Sequence, residues 1–259
     1  MAKKIFGLSS IKYADVAVDG GMGSDFNTSP ETVVGTATIT QEDPTITDFN
    51  IEESDSPVES IQTQAGKVTF AWSSYNIGYL MLKKLFGGTG NLAQAVGSVN
   101  VLGTLTGGSS YTNGYYEDVA LSVNTGSGSG ARANIKVSGG AVTEVEFTAL
   151  GSGYTGTNEL SCAAGLIGGT GSGWKVVVSS VHASAVGETW EAPDTFPDVE
   201  KSLQLTDKKG NVVKIPRAKI VGKLGISFTK DALGQVDFTA TVLQPSKSGE
   251  KRLTIVKAS

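Results

Sequence analysis

One segment of the chain is rich in Asp and Glu. Their carboxylates are the side chains of this sequence best suited to a catalytic role. A pair of carboxylates flanking a sugar can hydrolyse a glycosidic bond, but the segment offers only Phe49 as an aromatic surface for a sugar ring. A solvated loop with an exposed strand face is one alternative, and a surface with a useful negative potential is another. No Lys or Arg separates the acidic residues, which are Glu42, Asp43, Asp48, Glu52, Glu53, Asp55 and Glu59.

Other candidate catalytic motifs are weak. His182 is the sole histidine and Cys162 the sole cysteine, so an internal disulfide and a His/Cys zinc site are excluded. Residues 126–130 match a nucleophile elbow loosely but lack a following helix. Residues 88–93 match a dinucleotide-binding loop, yet a predicted helix precedes them where that motif needs a strand. We therefore expect no catalytic residue, no metal and no cofactor.

Composition indicates a β-rich globular protein. Charged residues make up 18% of the chain and hydrophobic residues 39%, with 34 glycines and a net charge of −4. A mildly acidic chain does not suggest a protein that coats DNA. No apolar run is long enough for a membrane span, and no continuous apolar stretch follows the basic start, so we expect neither a membrane helix nor a secretory signal.

Alternating apolar and polar residues predict antiparallel strands in the last third of the chain. Residues 202–206 and 212–215 predict a hairpin around residues 207–211, and residues 253–256 predict a final strand. A longer hairpin is predicted to turn at residues 230–234. Its buried face would carry Ala218, Ile220, Gly222, Leu224, Ile226, Phe228, Val236, Phe238, Ala240 and Val242.

Strands and one helix are predicted near the start. Residues 33–40, 45–52 and 67–73 have β-rich patterns, and residues 76–86 have a helical one. Ser73 or Ser74 would cap the helix, and Gly87 with Gly88 would end it. The helix is apolar on most sides, so we expect it to be largely buried, either against the sheet alone or also against a neighbouring subunit.

A Gly/Ser-rich insert occupies residues 91–185 and contains a repeat offset by 43 residues. Residues 108–114 resemble 151–156, and residues 128–132 resemble 171–175. Two copies predict a small pseudo-symmetric β domain inserted into a core formed by residues 1–90 and 186–259. Its aromatic side chains would form the core of this domain or stack on sugars; they are Tyr111, Tyr115, Tyr116, Tyr154 and Trp174.

Short sequence phrases outside the insert resemble the tail tube protein of long-tailed bacteriophages. They are residues 41–44 (Gln-Glu-Asp-Pro), the acidic stretch through residue 59, the helix ending at residues 85–88, residues 190–193 (Trp-Glu-Ala-Pro), residues 214–220 and residues 243–245. The insert resembles the Gly-Ser-Gly-Tyr repeats that decorate phage structural proteins.

The resemblance implies an antiparallel β-sandwich or half-barrel with one flanking helix, assembled into stacked hexameric rings around a lumen for phage DNA. The protein would be made in the bacterial cytoplasm and would reside in the virion tail. Its partners would be further copies of itself and the tape measure, tail terminator and distal tail proteins, with DNA only as non-specific cargo and no membrane. The insert would decorate the exterior, and the acidic residues from Glu42 to Glu59 would line the lumen or contact the next ring.

Three rival functions are consistent with the same residues. One is a carbohydrate-binding surface protein in which the insert is the active part. Another is a hydrolase that uses the acidic segment. The third is the inner-tube subunit of a contractile injection or secretion system, which shares the tube architecture.

Overall fold

The computed structural model describes residues 4–225 and 233–258, which form two units. The first unit contains the described residues up to Met22, Ser29–Asn76 and those from Asp198 onward; the second contains Gly23–Thr28 and Ile77–Pro197. The predicted boundaries lay at residues 90/91 and 185/186. The structure instead divides the chain at 76/77 and 197/198 and also gives residues 23–28 to the second unit.

The described residues are mainly β and contain one α-helix, α1 (Tyr79–Phe86). The fold class predicted from the sequence, an antiparallel β-sandwich with one helix, is confirmed. The strands are β1 (Leu8–Asp15), β2 (Asn27–Ser29), β3 (Thr38–Gln41), β4 (Thr45–Phe49), β5 (Glu59–Gln64), β6 (Val68–Ser74), β7 (Thr89–Asn91), β8 (Val99–Ser109), β9 (Gly114–Ala120), β10 (Ser122–Thr125), β11 (Ser129–Ser138), β12 (Ala141–Ser152), β13 (Glu159–Ser161), β14 (Ser172–Val181), β15 (Thr189–Glu191), β16 (Val199–Asp207), β17 (Val212–Gly225), β18 (Gln235–Val242) and β19 (Thr254–Val256).

The main sheet of the first unit runs in the order β2, β1, β16, β17, β18, β6, β3, with β19 also paired to β17. The long predicted hairpin is present, and β17 pairs with β18 from Ala218↔Val242 to Gly225↔Gln235. Its predicted residues Ile226 and Phe228 and part of its turn lie outside the described residues. The period-2 pattern buries Phe70, Trp72 and Phe238 together, with the Trp72 ring 4.9 Å and 4.8 Å from the two phenyl rings.

The turn between β16 and β17 is organised by a buried carboxylate, Asp207. Its Oδ1 accepts hydrogen bonds from the backbone N–H groups of Lys209 and Asn211, both at 2.8 Å. Its Oδ2 accepts from Asn211 Nδ2 at 2.7 Å and from the Phe6 N–H at 3.1 Å. Burial alone would raise the pKa of Asp207, but these hydrogen bonds outweigh burial and lower the pKa to about 2.

We expect Asp207→Ala to destabilise the protein at neutral pH. A carboxyl with a pKa of about 2 when folded and about 3.9 when unfolded stabilises the fold above pH ~4, and this contribution disappears as the pH falls toward 2. The difference in melting temperature between wild type and variant should therefore shrink across that interval. Thermal unfolding from pH 7 to pH 2 measures it, with the exposed Asp194→Ala as control. A difference that stays constant down to pH 2 would contradict this role for Asp207.

Two sheets form the β-rich part of the second unit. One has the order β10, β13, β14, β8 and the other the order β12, β11, β9. The chain enters and leaves this part through neighbouring antiparallel strands, because β7 pairs with β15 and Gln94 bridges Val186. The predicted ends of the insert, residues 91 and 185, fall at this two-stranded neck.

Helix α1 belongs to the second unit, whereas the sequence assigned residues 76–86 to the core. Its Phe86 lies 6.3 Å from the Trp190 ring and 6.1 Å from the Phe196 ring, so aromatic residues of the returning chain supply its packing. Gly87, with φ of 75°, ends the helix as predicted.

The predicted helix cap was wrong. Ser73 and Ser74 lie in β6, and the Ser74 hydroxyl donates a hydrogen bond to the carbonyl of Pro30 at 2.8 Å. The helix begins after Gly78, and no side chain at this capping position accepts a hydrogen bond from the first turn. The N–H of Tyr79 donates instead to the carboxylate of Glu188, which is distant in sequence.

In the insert, a tyrosine of each repeat packs against the other repeat. The Tyr111 hydroxyl of the first repeat accepts a hydrogen bond from the backbone N–H of Trp174 in the second at 3.3 Å. The Tyr111 ring covers Gly171 so closely that a Cβ there would overlap it. Tyr154 of the second repeat accepts from the Ala131 N–H of the first at 3.2 Å and covers Gly128 in the same way. The residues match at the predicted offset of 43, and the contacts are reciprocal.

Candidate assembly surface

The acidic segment forms a hairpin that stands apart from the main sheet. Among the described strands, β4 and β5 pair only with each other, with Asp48 opposite Ser60 and Phe49 opposite Glu59. The Val58 N–H donates to the Phe49 carbonyl at 2.9 Å and starts the returning strand. Every residue from 42 to 64 is exposed, so both faces of the hairpin are in solvent. We call residues 42–64 the arm.

Close backbone packing fixes the base of the arm. The Glu42 N–H donates to the Lys67 carbonyl at 2.8 Å, which continues the pairing of β3 with β6 toward the arm. The neighbouring Gly66 lies so near the Glu42 carbonyl that a Cβ at this position would overlap it. The base therefore requires glycine, and it defines the point where the arm leaves the sheet.

All seven predicted acidic residues lie on the arm, and the structure brings them together on one exposed element. Asp48 accepts a hydrogen bond from the Ser60 hydroxyl. Within the described ranges, none of the seven carboxylates forms an ion pair with a base. An acid catalyst with a raised pKa needs a desolvated pocket, and a hairpin open to water on both faces does not form one. The arm is thus suited to electrostatic contact with another surface.

Large apolar side chains on the arm are also exposed. They retain between 44% and 58% of their full accessibility and are Ile46, Phe49, Ile51, Val58 and Ile61. An isolated two-stranded hairpin is marginally stable in water, and apolar groups concentrated on it mark a binding surface. The sequence pattern indicated a strand with Ile46 and Ile51 but did not predict β5. The alternation in residues 59–64, with Ile61 between polar neighbours, was the signal for that strand.

A second exposed surface of the first unit is basic, and sequence reasoning missed it. Its three segments are residues 4–6, 208–214 and 251–258, which we call the basic strip. The Lys208 N–H donates to the Phe6 carbonyl at 3.2 Å, and the Ala258 N–H donates to Asn211 Oδ1 at 3.1 Å. Val213 pairs with Ile255. These contacts join the three segments into one surface.

The basic strip combines positive charge with apolar groups, as the arm combines negative charge with apolar groups. No Asp or Glu occurs in its three segments. Its exposed apolar side chains, at 46% to 63% of full accessibility, are Ile5, Phe6, Ile255 and Val256. Its basic residues are Lys4, Lys208, Lys209, Lys214, Lys251, Arg252 and Lys257.

The remaining candidate residues lie outside the arm and the basic strip. Cys162 is buried, and burial raises the pKa of its thiol, so the reactive thiolate is disfavoured. The His182 backbone bonds to Ser98 and Gly97 near the neck. The predicted loop 88–93 contains β7, which follows α1. In the described residues no cluster of His, Cys, Asp and Glu could hold a metal, and no helix is long and apolar enough to cross a membrane.

Three of the five aromatic side chains of the insert lie in a buried core, which was one of the two predicted alternatives. Tyr111, Tyr154 and Trp174 are buried and present no face to a sugar. Tyr115 and Tyr116 are partly buried, and their hydroxyls donate to Asn27 Oδ1 at 3.1 Å and to the Thr112 carbonyl at 2.9 Å.

Comparison with models of known protein families and with curated proteins found no match to this chain. The assignment of a function therefore rests on the arm, the basic strip and the open sheet of the first unit.

Proposed function

We propose that this chain is a non-enzymatic structural protein that assembles with further copies of itself into stacked rings, as the tail tube subunit of a long-tailed bacteriophage. The observation that carries the proposal is the arm, a hairpin exposed on both faces that carries five large apolar side chains. Half-exposed side chains of this size would each contribute roughly 1 kcal/mol if a neighbour covered them. A surface of this kind supports association.

The exposed apolar residues favour the first unit as the assembling part. Of the 21 large hydrophobic side chains that are exposed in the described residues, fifteen lie in the first unit and six in the second. Single exposed apolar residues are ordinary, but a concentration in one unit marks an interaction surface. This distribution supports a tube built by the first unit, with the second unit as a decoration.

The main sheet supplies a further means of association. Its strand order is open and ends at β2 and β3 within the described chain, and all four residues of β3 are exposed. An edge strand can extend its hydrogen-bond ladder into a neighbouring copy. When the two joined surfaces differ, repeated pairing closes into a ring if the rotation allows it. Such a ring around a lumen with little positive charge would let DNA pass without binding.

Electron microscopy of the concentrated protein tests the proposal. We expect rings, or tubes of stacked rings, with a central opening wider than a DNA duplex. Sedimentation should show a mass that rises with protein concentration. A protein that stays monomeric up to millimolar concentration would contradict the proposal, as would a map of isolated molecules whose sheet edges are covered by their own chain.

A further inference from the structure

We propose that the arm of one copy docks onto the basic strip of a second copy. The inference rests on the proposed function, because it requires that the chain assemble with itself. It goes further by naming the two surfaces that meet. It also assigns the acidic residues to a contact between copies, where the sequence left open a lining of the lumen.

The charges of the two surfaces are complementary. The arm holds seven acidic residues and no base, and the basic strip holds seven bases and no acid. None of these fourteen side chains forms an ion pair within the part of the chain that the structure describes. Charge complementarity steers association and suppresses incorrect pairings. The negative charge of the arm is therefore opposite to the positive charge of the basic strip.

Their apolar groups match as well. Ile46 and Phe49 on β4 and Ile61 on β5 are exposed on the arm, while Phe6 and Ile255 are exposed on the basic strip. An interface needs apolar groups that are covered on binding and charged groups at their margin. A lumen wall that repels DNA needs only negative charge. The exposed apolar residues of the arm therefore favour docking between copies over a lining of the lumen.

The occupant is a second copy because neither surface is covered by the described residues of its own chain. The arm is exposed throughout, and the segments of the basic strip expose Phe6, Lys209 and Ile255. The arm and the strip are different surfaces of one molecule, so each copy offers one donor and one acceptor. A contact of this heterologous type propagates from copy to copy, as a stack of rings requires.

Paired charge reversals test the docking. The arm-reversed variant carries Glu52→Lys and Glu53→Lys, and the strip-reversed variant carries Lys251→Glu and Arg252→Glu. We expect each variant alone to need at least a 100-fold higher concentration to assemble. A mixture of the two should assemble, and so should a single chain with all four changes, because each restores opposite charges across the contact.

A matched control has the same change in net charge as the arm-reversed variant. It carries Glu31→Lys and Asp194→Lys, at exposed positions outside both surfaces, and it should assemble like the wild type. Circular dichroism and calorimetry establish that each variant is folded. For the unaltered protein, raising the salt concentration from 50 mM to 500 mM should increase the critical concentration at least tenfold, because salt screens exposed charges.

The outcomes separate the two proposals. A wild type that never assembles overturns the proposed function and the docking with it. A wild type that assembles while both reversed variants also assemble overturns only the docking. If the arm-reversed variant fails to assemble while the strip-reversed variant assembles normally, the basic strip is not the surface that binds the arm. Salt-independent assembly, or assembled tubes whose basic strip still binds a short DNA duplex, would also overturn the docking.

Discussion

Replacing Tyr154 with alanine is expected to lower the free energy of unfolding of the second unit by about 3–5 kcal/mol, the range found when a buried aromatic ring is removed. The ring is 2% exposed, and its neighbour Gly128 has no side chain that could fill the space. The change also leaves the N–H of Ala131 without its hydrogen-bond acceptor. Chemical denaturation followed by near-ultraviolet circular dichroism measures the loss.

Two further variants divide this effect into its parts. Tyr154→Phe keeps the ring and removes only the hydroxyl, so we expect a loss of about 1–2 kcal/mol from the unpaired Ala131 N–H. Tyr75→Ala removes an exposed ring in the first unit and should change the stability of the second unit by less than about 0.5 kcal/mol. A loss for Tyr154→Ala no larger than that for Tyr75→Ala would contradict the reciprocal packing.

Tyr111 should behave like Tyr154, because the repeats are related by exchange of these rings. Tyr111→Ala removes a buried ring over Gly171 and the acceptor for the Trp174 N–H. We expect the two variants to lower the stability of the same unit by similar amounts. Because each of these tyrosines packs against the other repeat, the stability of the second unit requires both repeats.

The repeat could be predicted from the sequence, but its reciprocity could not. A match at an offset of 43 residues shows that positions 111 and 154 are equivalent. It does not show whether Tyr154 packs on Gly128 or on Gly171, since both glycines lie in equivalent loops. That choice depends on how β11 and β14 are placed in their sheets, which is a tertiary contact between residues distant in sequence.

The helix shows the same division between local and distant information. Its apolar residues and the glycines after Phe86 are local features, and they predicted its end correctly. Its start depends on Glu188, about a hundred residues further along the chain, which accepts the hydrogen bond from Tyr79. Ser73 and Ser74 are good capping residues in a local window, but tertiary pairing places both in β6.

The candidate surfaces were predictable only in part. The acidic residues are adjacent in sequence, so the sequence located one surface as a group. The basic strip is assembled from three distant segments. The pairing of β19 with β17, the hydrogen bond of Ala258 to Asn211 and the contact of Phe6 with Lys208 bring them together. Exposure of residues such as Phe49 is also a tertiary property, because the same alternation of residue types describes a buried hairpin.

Shortening the arm is expected to abolish assembly while the first unit stays folded. In the proposed variant a two-residue Asn-Gly turn replaces residues 43–66 and connects Glu42 to Lys67. The Glu42 N–H already donates a hydrogen bond to the Lys67 carbonyl, so the two ends are close enough for such a turn. The sheet keeps β3 and β6, so the folded monomer should lose little stability. Sedimentation and electron microscopy should show monomers at concentrations where the wild type forms rings or tubes.

A milder change separates apolar contact from charge. Phe49→Ser, Ile51→Ser and Val58→Ser together keep all seven carboxylates and remove three exposed apolar groups. If a neighbour covers the half of each side chain that is now in water, the loss is about 3 kcal/mol per contact, which corresponds to roughly 100-fold weaker association. The triple change Thr45→Ser, Thr47→Ser and Thr63→Ser, on β4 and β5 of the same arm, serves as control and should leave assembly nearly unchanged. Full assembly of the Phe49, Ile51 and Val58 variant would show that the apolar face of the arm stays in water, and the arm would then lose its role as a contact between copies.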